Sequence, residues 1–163
     1  MMRWRVRAAL ALALVTSGPA MAASAQDGAA ALRRQDYAKA LAILGPLGQS
    51  GNPVAQTYLG HMYANGYGLP LNYIEAARWL RLASEQGDPE AQYSLGLMYN
   101  RGQGVPQDYV EAYKWLDLAV AQARGRQRDD WVRIRNAIAT KLSLEQRTQA
   151  QARAMAWLAR RPR

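Results

Sequence analysis

A 36-residue period constrains this chain more than any other feature. Set against 87–122, residues 51–86 are identical at nineteen of 36 positions. The matches in the first half of the unit include Gly51/Gly87, Pro53/Pro89, Ala55/Ala91, Gln56/Gln92, Leu59/Leu95, Gly60/Gly96, Met62/Met98 and Tyr63/Tyr99. In the second half they include Gly66/Gly102, Gly68/Gly104, Pro70/Pro106, Tyr73/Tyr109, Glu75/Glu111, Ala76/Ala112, Trp79/Trp115, Leu80/Leu116, Ala83/Ala119 and Gln86/Gln122. An earlier half-unit shows at twice the offset, where Gln35-Asp36-Tyr37 matches Gln107-Asp108-Tyr109. Units of this size cannot bury an apolar face alone. They stack on one another, so an array is the expected architecture.

Each unit reads as two helices. The first starts after Asn52 or Asp88, both good N-caps, with Pro53 or Pro89 at the first helical position. Ala55, Leu59, Met62 and Tyr63 then recur at helical spacing. Gly60 and Gly96 interrupt this helix at a cost of about 1 kcal/mol each relative to Ala. A neighbouring helix backbone that leaves no room for a Cβ is the expected reason. The first helix ends at Gly66 or Gly102, and Gly-x-Gly-x-Pro turns the chain. The second starts after Asn72 or Asp108, with Glu75 or Glu111 three residues on, the spacing of a capping box. Ala76, Trp79, Leu80 and Ala83 form its apolar stripe, and the tryptophan reads as a core anchor between repeats.

The flanks extend the array. Residues 27–48 predict two short helical segments, the second starting at Asp36. A helix is expected over 129–142, with Trp131, Ile134, Ile138 and Leu142 on one face. A last helix follows Ser143, with Gln146 completing its cap, and runs to about Arg160. The fold class is all-α, an α-solenoid of antiparallel helix pairs. Its parts are a leader over 1–25, N-terminal capping helices over 26–50, repeats over 51–86 and 87–122, and basic capping helices over 123–163.

The pattern Ala-x-x-x-Leu-Gly-x-x-Tyr, then Gly-x-Gly-x-Pro-x-Asn/Asp-Tyr-x-x-Ala-x-x-Trp, occurs at Ala55 to Trp79 and at Ala91 to Trp115. It resembles the Sel-one-like repeat family, a relative of the tetratricopeptide repeat, and the resemblance covers roughly 36–122. The closing helices are similar to the end of short exported bacterial members. The resemblance implies a solenoid that serves as an adaptor or scaffold for another protein or peptide, with no cofactor. Some cysteine-rich relatives have been labelled β-lactamases. This chain departs from them: it has no Cys, and none of its serines begins Ser-x-x-Lys.

The first 25 residues read as a cleaved secretory signal. Arg3, Arg5 and Arg7 precede the apolar run from Ala8 to Val15. Gly18 and Pro19 follow, then two small-x-small sites that place the cut after Ala22 or Ala25. The apolar run is about half the length that spans a bilayer. A periplasmic or secreted protein, not transmembrane after cleavage, is expected.

The formal charge of +9 is unevenly placed. Residues 26–123 are net −2 and residues 124–163 are net +8. Arg124, Arg126, Arg128, Arg133 and Arg135 form a basic patch that reads either as a solvated helix face or as a contact for an anionic envelope surface. Nucleic acid is not expected as a partner, since no recognised binding motif is present.

Catalysis and metal binding find little support. Absent Cys and a single His argue against a metal centre. The closest carboxylate pairs, Asp88 with Glu90 and Asp129 with Asp130, fall at predicted helix starts, where caps and the helix dipole explain them. The Gly-x-Gly turns lack the Lys and Ser/Thr of a phosphate loop. Recognition is expected instead on the concave face, at first-helix positions where the repeats differ: Tyr58, His61, Asn65, Tyr93, Leu97 and Arg101. His61 has Leu97 as its counterpart, so it either lines a groove or faces solvent. A protein-interaction module in the bacterial envelope is the leading reading. A basic peripheral envelope-binding protein is the alternative, and a hydrolase of cell-wall-like substrates comes third.

Overall fold

Eight α-helices account for the regular structure of residues 23–160, the part of the chain described by the computed structural model. They are α1 (Ala25–Arg33), α2 (Tyr37–Gln49), α3 (Pro53–Asn65), α4 (Tyr73–Glu85), α5 (Pro89–Arg101), α6 (Tyr109–Gln122), α7 (Gly125–Ala139) and α8 (Leu144–Ala159). No strand occurs among the described residues. The leader expected over 1–25 lies outside them up to residue 22.

Local chemistry sets most helix ends. The side chains of Asn52 and Asp88 accept from the N–H groups of Ala55 and Ala91, at 2.9 and 2.8 Å. Gly66 and Gly102 close α3 and α5 in the left-handed conformation, at φ 69° and 67°. Ser143 and Gln146 cap each other's backbone at α8. A second reciprocal pair, Ser24 with Asp27, starts α1 and was not anticipated. The boxes expected at α4 and α6 are only half made. Asn72 and Asp108 accept from backbone N–H groups there. Glu75, however, pairs with Arg78, and Glu111 with Lys114 and Arg153.

The helices pack in chain order, α2 on α3, α3 on α4, α4 on α5 and α5 on α6. Trp79 and Trp115 are buried at 9% and 4% exposure, as core anchors. A Cβ on Gly60 would lie 2.6 Å from Leu80 Cγ, and one on Gly96 2.8 Å from Leu116 Cγ. The space is therefore taken first by a leucine side chain of the paired helix. The backbone carbonyls of Ala76 and Ala112 come next, at 3.3 and 3.1 Å. The buried amides of Gln56 and Gln92 tie successive units together. Gln56 Nε2 donates to Gly48 O, and Gln86 Nε2 donates to Gln56 Oε1. Gln92 and Gln122 repeat the pair on Ser84 O.

The closing helices depart from expectation. The predicted start at Asp129 is four residues late: α7 begins at Gly125, and its N-cap Arg124 makes no side-chain cap. Asp129 and Asp130 thus sit inside the helix, where Asp130 pairs with Arg133 at 2.8 Å. The start keeps the array's period, 36 residues after Pro89, so stacking overrides the local capping signal. Ile134, expected on the apolar face, is 37% exposed; Trp131, Ile138 and Leu142 are buried as expected, though Leu142 lies beyond the helix end. α8 then folds mainly onto α6. Ala154 and Trp157 join the core around Trp115 and Leu118.

Candidate functional site

Most identical positions in the two repeats build the stack, while the positions that differ divide between packing, as at Ala77/Tyr113 and Ser84/Val120, and exposed surface. Several of these line one groove between α3 and α5. One end is a cavity of about 310 Å³ walled by Val54, Thr57, Tyr58, His61, Asp88 and Glu90. The other is a cavity of about 230 Å³ whose walls include His61, Asn65, Ser94, Leu97, Arg101 and Gln103. His61 belongs to both and marks their junction. Its Nε2 lies 3.0 Å from Ser94 Oγ, a bridge between the two helices.

Five of the six sequence-selected residues thus meet on one surface: Tyr58, His61, Asn65, Leu97 and Arg101. Asn65 is exposed and donates from Nδ2 to His61 O at 2.8 Å. Tyr93 is the exception. Its ring stacks on Trp131 of α7, with centroids 4.7 Å apart and planes 10° from parallel. It is a packing surface for the closing helix and does not line the groove. Asp88, Glu90 and Ser94 were missed as lining residues. For the two acids the helix-start explanation concealed the role. For Ser94 the signal was available, since it differs from Tyr58 at the same repeat position.

The electrostatics vary along the groove. Partial desolvation raises the pKa of the largely exposed Glu90 carboxyl above its ordinary value, and the hydrogen bond from Gln127 partly offsets this. Burial lowers the His61 pKa below its ordinary 6.5, with Asp88 opposing. Below pH 6.5 the folded protein then binds fewer protons at this site than the unfolded chain. His61 therefore contributes stability that is present at neutral pH and lost as pH falls from 6.5 through the lowered value. The melting temperature should drop further between pH 7.5 and pH 5 in the wild type than in His61→Leu, which installs the residue of the second repeat. Equal drops in thermal melts would remove His61 as the titrating group.

The basic patch is smaller than its sequence suggested. Arg133 pairs with Asp130, and Arg135 pairs with Asp117 at 2.8 Å and also donates to Asn136. Arg124, Arg126 and Arg128 are exposed around the start of α7, and Gln127 between them donates to Glu90. Among the described residues no group of three metal-binding side chains converges. No helix among them is long and apolar enough to cross a membrane.

Comparison with known proteins agrees with this architecture. The Sel1 repeat model matches residues 53–88 and 89–123. Among solved structures, the chain is similar to a protective antigen present in uropathogenic Escherichia coli strains that displays an SLR fold. The TM-score is 0.76 at 31% identity, over 83% of this chain and 29% of that one. It is also similar to a Sel1 repeat protein from Oxalobacter formigenes. There the TM-score is 0.58 at 35% identity, over 61% of this chain and 41% of that one. The chain thus spans less than half the length of either. No curated protein matches it.

Proposed function

The chain is a Sel1 repeat protein, and from that premise we propose that it acts as a protein–protein interaction module with the α3–α5 groove as its contact surface. One observation carries the reading. The groove is lined largely by positions that differ between the repeats, while most identical positions are spent on packing, caps and turns. Positions released from packing in this way are the ones a partner can shape.

We place the module in the bacterial envelope or outside the cell, on the strength of the N-terminal segment. The two cleavage sites then have different consequences. Cutting after Ala25 removes Ser24, whose side chain caps α1, and Ala25, which is 4% exposed in the core. Cutting after Ala22 keeps both. The processed protein should begin at Ala23.

The test is a cross-linking pull-down from intact envelopes with tagged protein, its N-terminus read by intact mass. Deleting residues 124–163 is unsuitable as a control, because Trp131 and Trp157 are part of the core. The paired variants are Leu97→Ala with Arg101→Ala, and Arg124→Gln with Arg126→Gln and Arg128→Gln. One dominant partner should be lost with the first set and kept with the second, at unchanged helicity. Loss with the second set alone, together with steep salt dependence, would move the function to the basic patch.

A further inference from the structure

Three groove positions carry charge in the second repeat and none in the first. Asp88 stands where the first repeat has Asn52, Glu90 where it has Val54, and Arg101 where it has Asn65. Helix α3 forms and stacks with the neutral set, so the fold does not require the charges. The helix dipole favours an acid in the first turn and a base in the last. It acts equally on α3, which carries neither.

The charges are segregated along the groove. Asp88 and Glu90 line one end, and Arg101 lines the other. Tyr58 and Leu97 supply apolar surface, on either side of the His61–Ser94 bridge. None of the ion pairs among the described residues uses Asp88, Glu90 or Arg101. One Asp88 oxygen caps α5, and Glu90 is held by Gln127. Glu90 and Arg101 lie eleven positions apart on α5, about 16 Å at 1.5 Å per residue.

We infer that the groove binds an extended segment of a partner protein in one direction only. A basic side chain of the segment meets Asp88 and Glu90, an acidic one meets Arg101, and apolar side chains between them face Tyr58 and Leu97. At about 3.3 Å per residue, 16 Å spans about five residues of extended chain. The recognised element is therefore a base and an acid about five residues apart in a fixed order. This rests on the groove reading above.

Panning a random dodecapeptide display library tests it, against the wild-type protein, Arg101→Glu, and Leu97→Ala with Arg101→Ala. Wild-type protein should enrich peptides with that spacing in a single order. Neutralising either peptide charge should weaken binding up to about fivefold, the range of a partly exposed ion pair. Arg101→Glu should replace the acidic preference with a basic one. Motifs without charge order, with a spacing of about eleven, or unchanged on Arg101→Glu overturn the inference and leave the groove standing. No enrichment over the double variant overturns the groove reading as well.

Discussion

Gly104→Ala should leave little folded protein, while Gly66→Ala should fold with a modest loss. Both glycines have positive φ, 69° in each case, which costs an L-residue about 1–2 kcal/mol. They differ in what a Cβ would meet. At Gly66 the nearest atoms are 3.6 Å away, an ordinary contact. At Gly104 the Cβ would overlap the carbonyl oxygen and carbon of Tyr73, at the start of α4 in the preceding repeat. Backbone on both sides leaves no side chain to swing aside. The repeats must separate or the turn must refold. A cost of about 4 kcal/mol or more is expected, enough to unfold a marginally stable domain. Gly68 makes the same kind of approach to Tyr37 one unit earlier, at 2.5 Å from its Cβ. Chemical denaturation of both variants decides the matter. Equal stability would show that the close approach does not hold the units together.

Trp115→Ala should cost about 3–5 kcal/mol, the range for truncating a buried aromatic. The ring is 4% exposed, meets Trp157 edge-on at 5.9 Å, and carries Lys114 Nζ 4.1 Å above it. Removing it takes away both the anchor of the second repeat and much of the surface on which α8 rests. Hydrogen exchange should therefore rise first in α8 and only later in α3 and α4. Trp115→Phe should cost less than half as much. Trp115 Nε1 is buried without a hydrogen-bond partner, so losing it forfeits ring volume and no bond. Denaturant melts of the pair check this. A phenylalanine as damaging as alanine would mean that the indole nitrogen has a hidden partner.

The groove's lining was partly legible before any tertiary contact was known. Comparing the units position by position separates residues that every unit needs from residues that only one has. It found Tyr58, His61, Asn65, Leu97 and Arg101, all of which line the groove. It failed at Tyr93 because variation between units has a second source. The last full repeat must also accept an irregular closing helix, and Trp131 of that helix covers Tyr93. Repeat comparison cannot separate the two causes, since both free a position from the common pattern.

What the amino-acid order determined by itself is short-range. Side-chain caps at Asn52 and Asp88, left-handed glycines at Gly66 and Gly102, and apolar spacing within one helix act over a few residues and repeat with the period. They specify helices, turns and an array. Tertiary structure decided what covers what. It made Leu80 the reason for Gly60, moved the start of α7 ahead of its apparent cap, laid α8 on α6, and joined His61 to Ser94. Each of these depends on how whole helices meet in the stack. No local propensity encodes such a meeting; only the packed stack creates it.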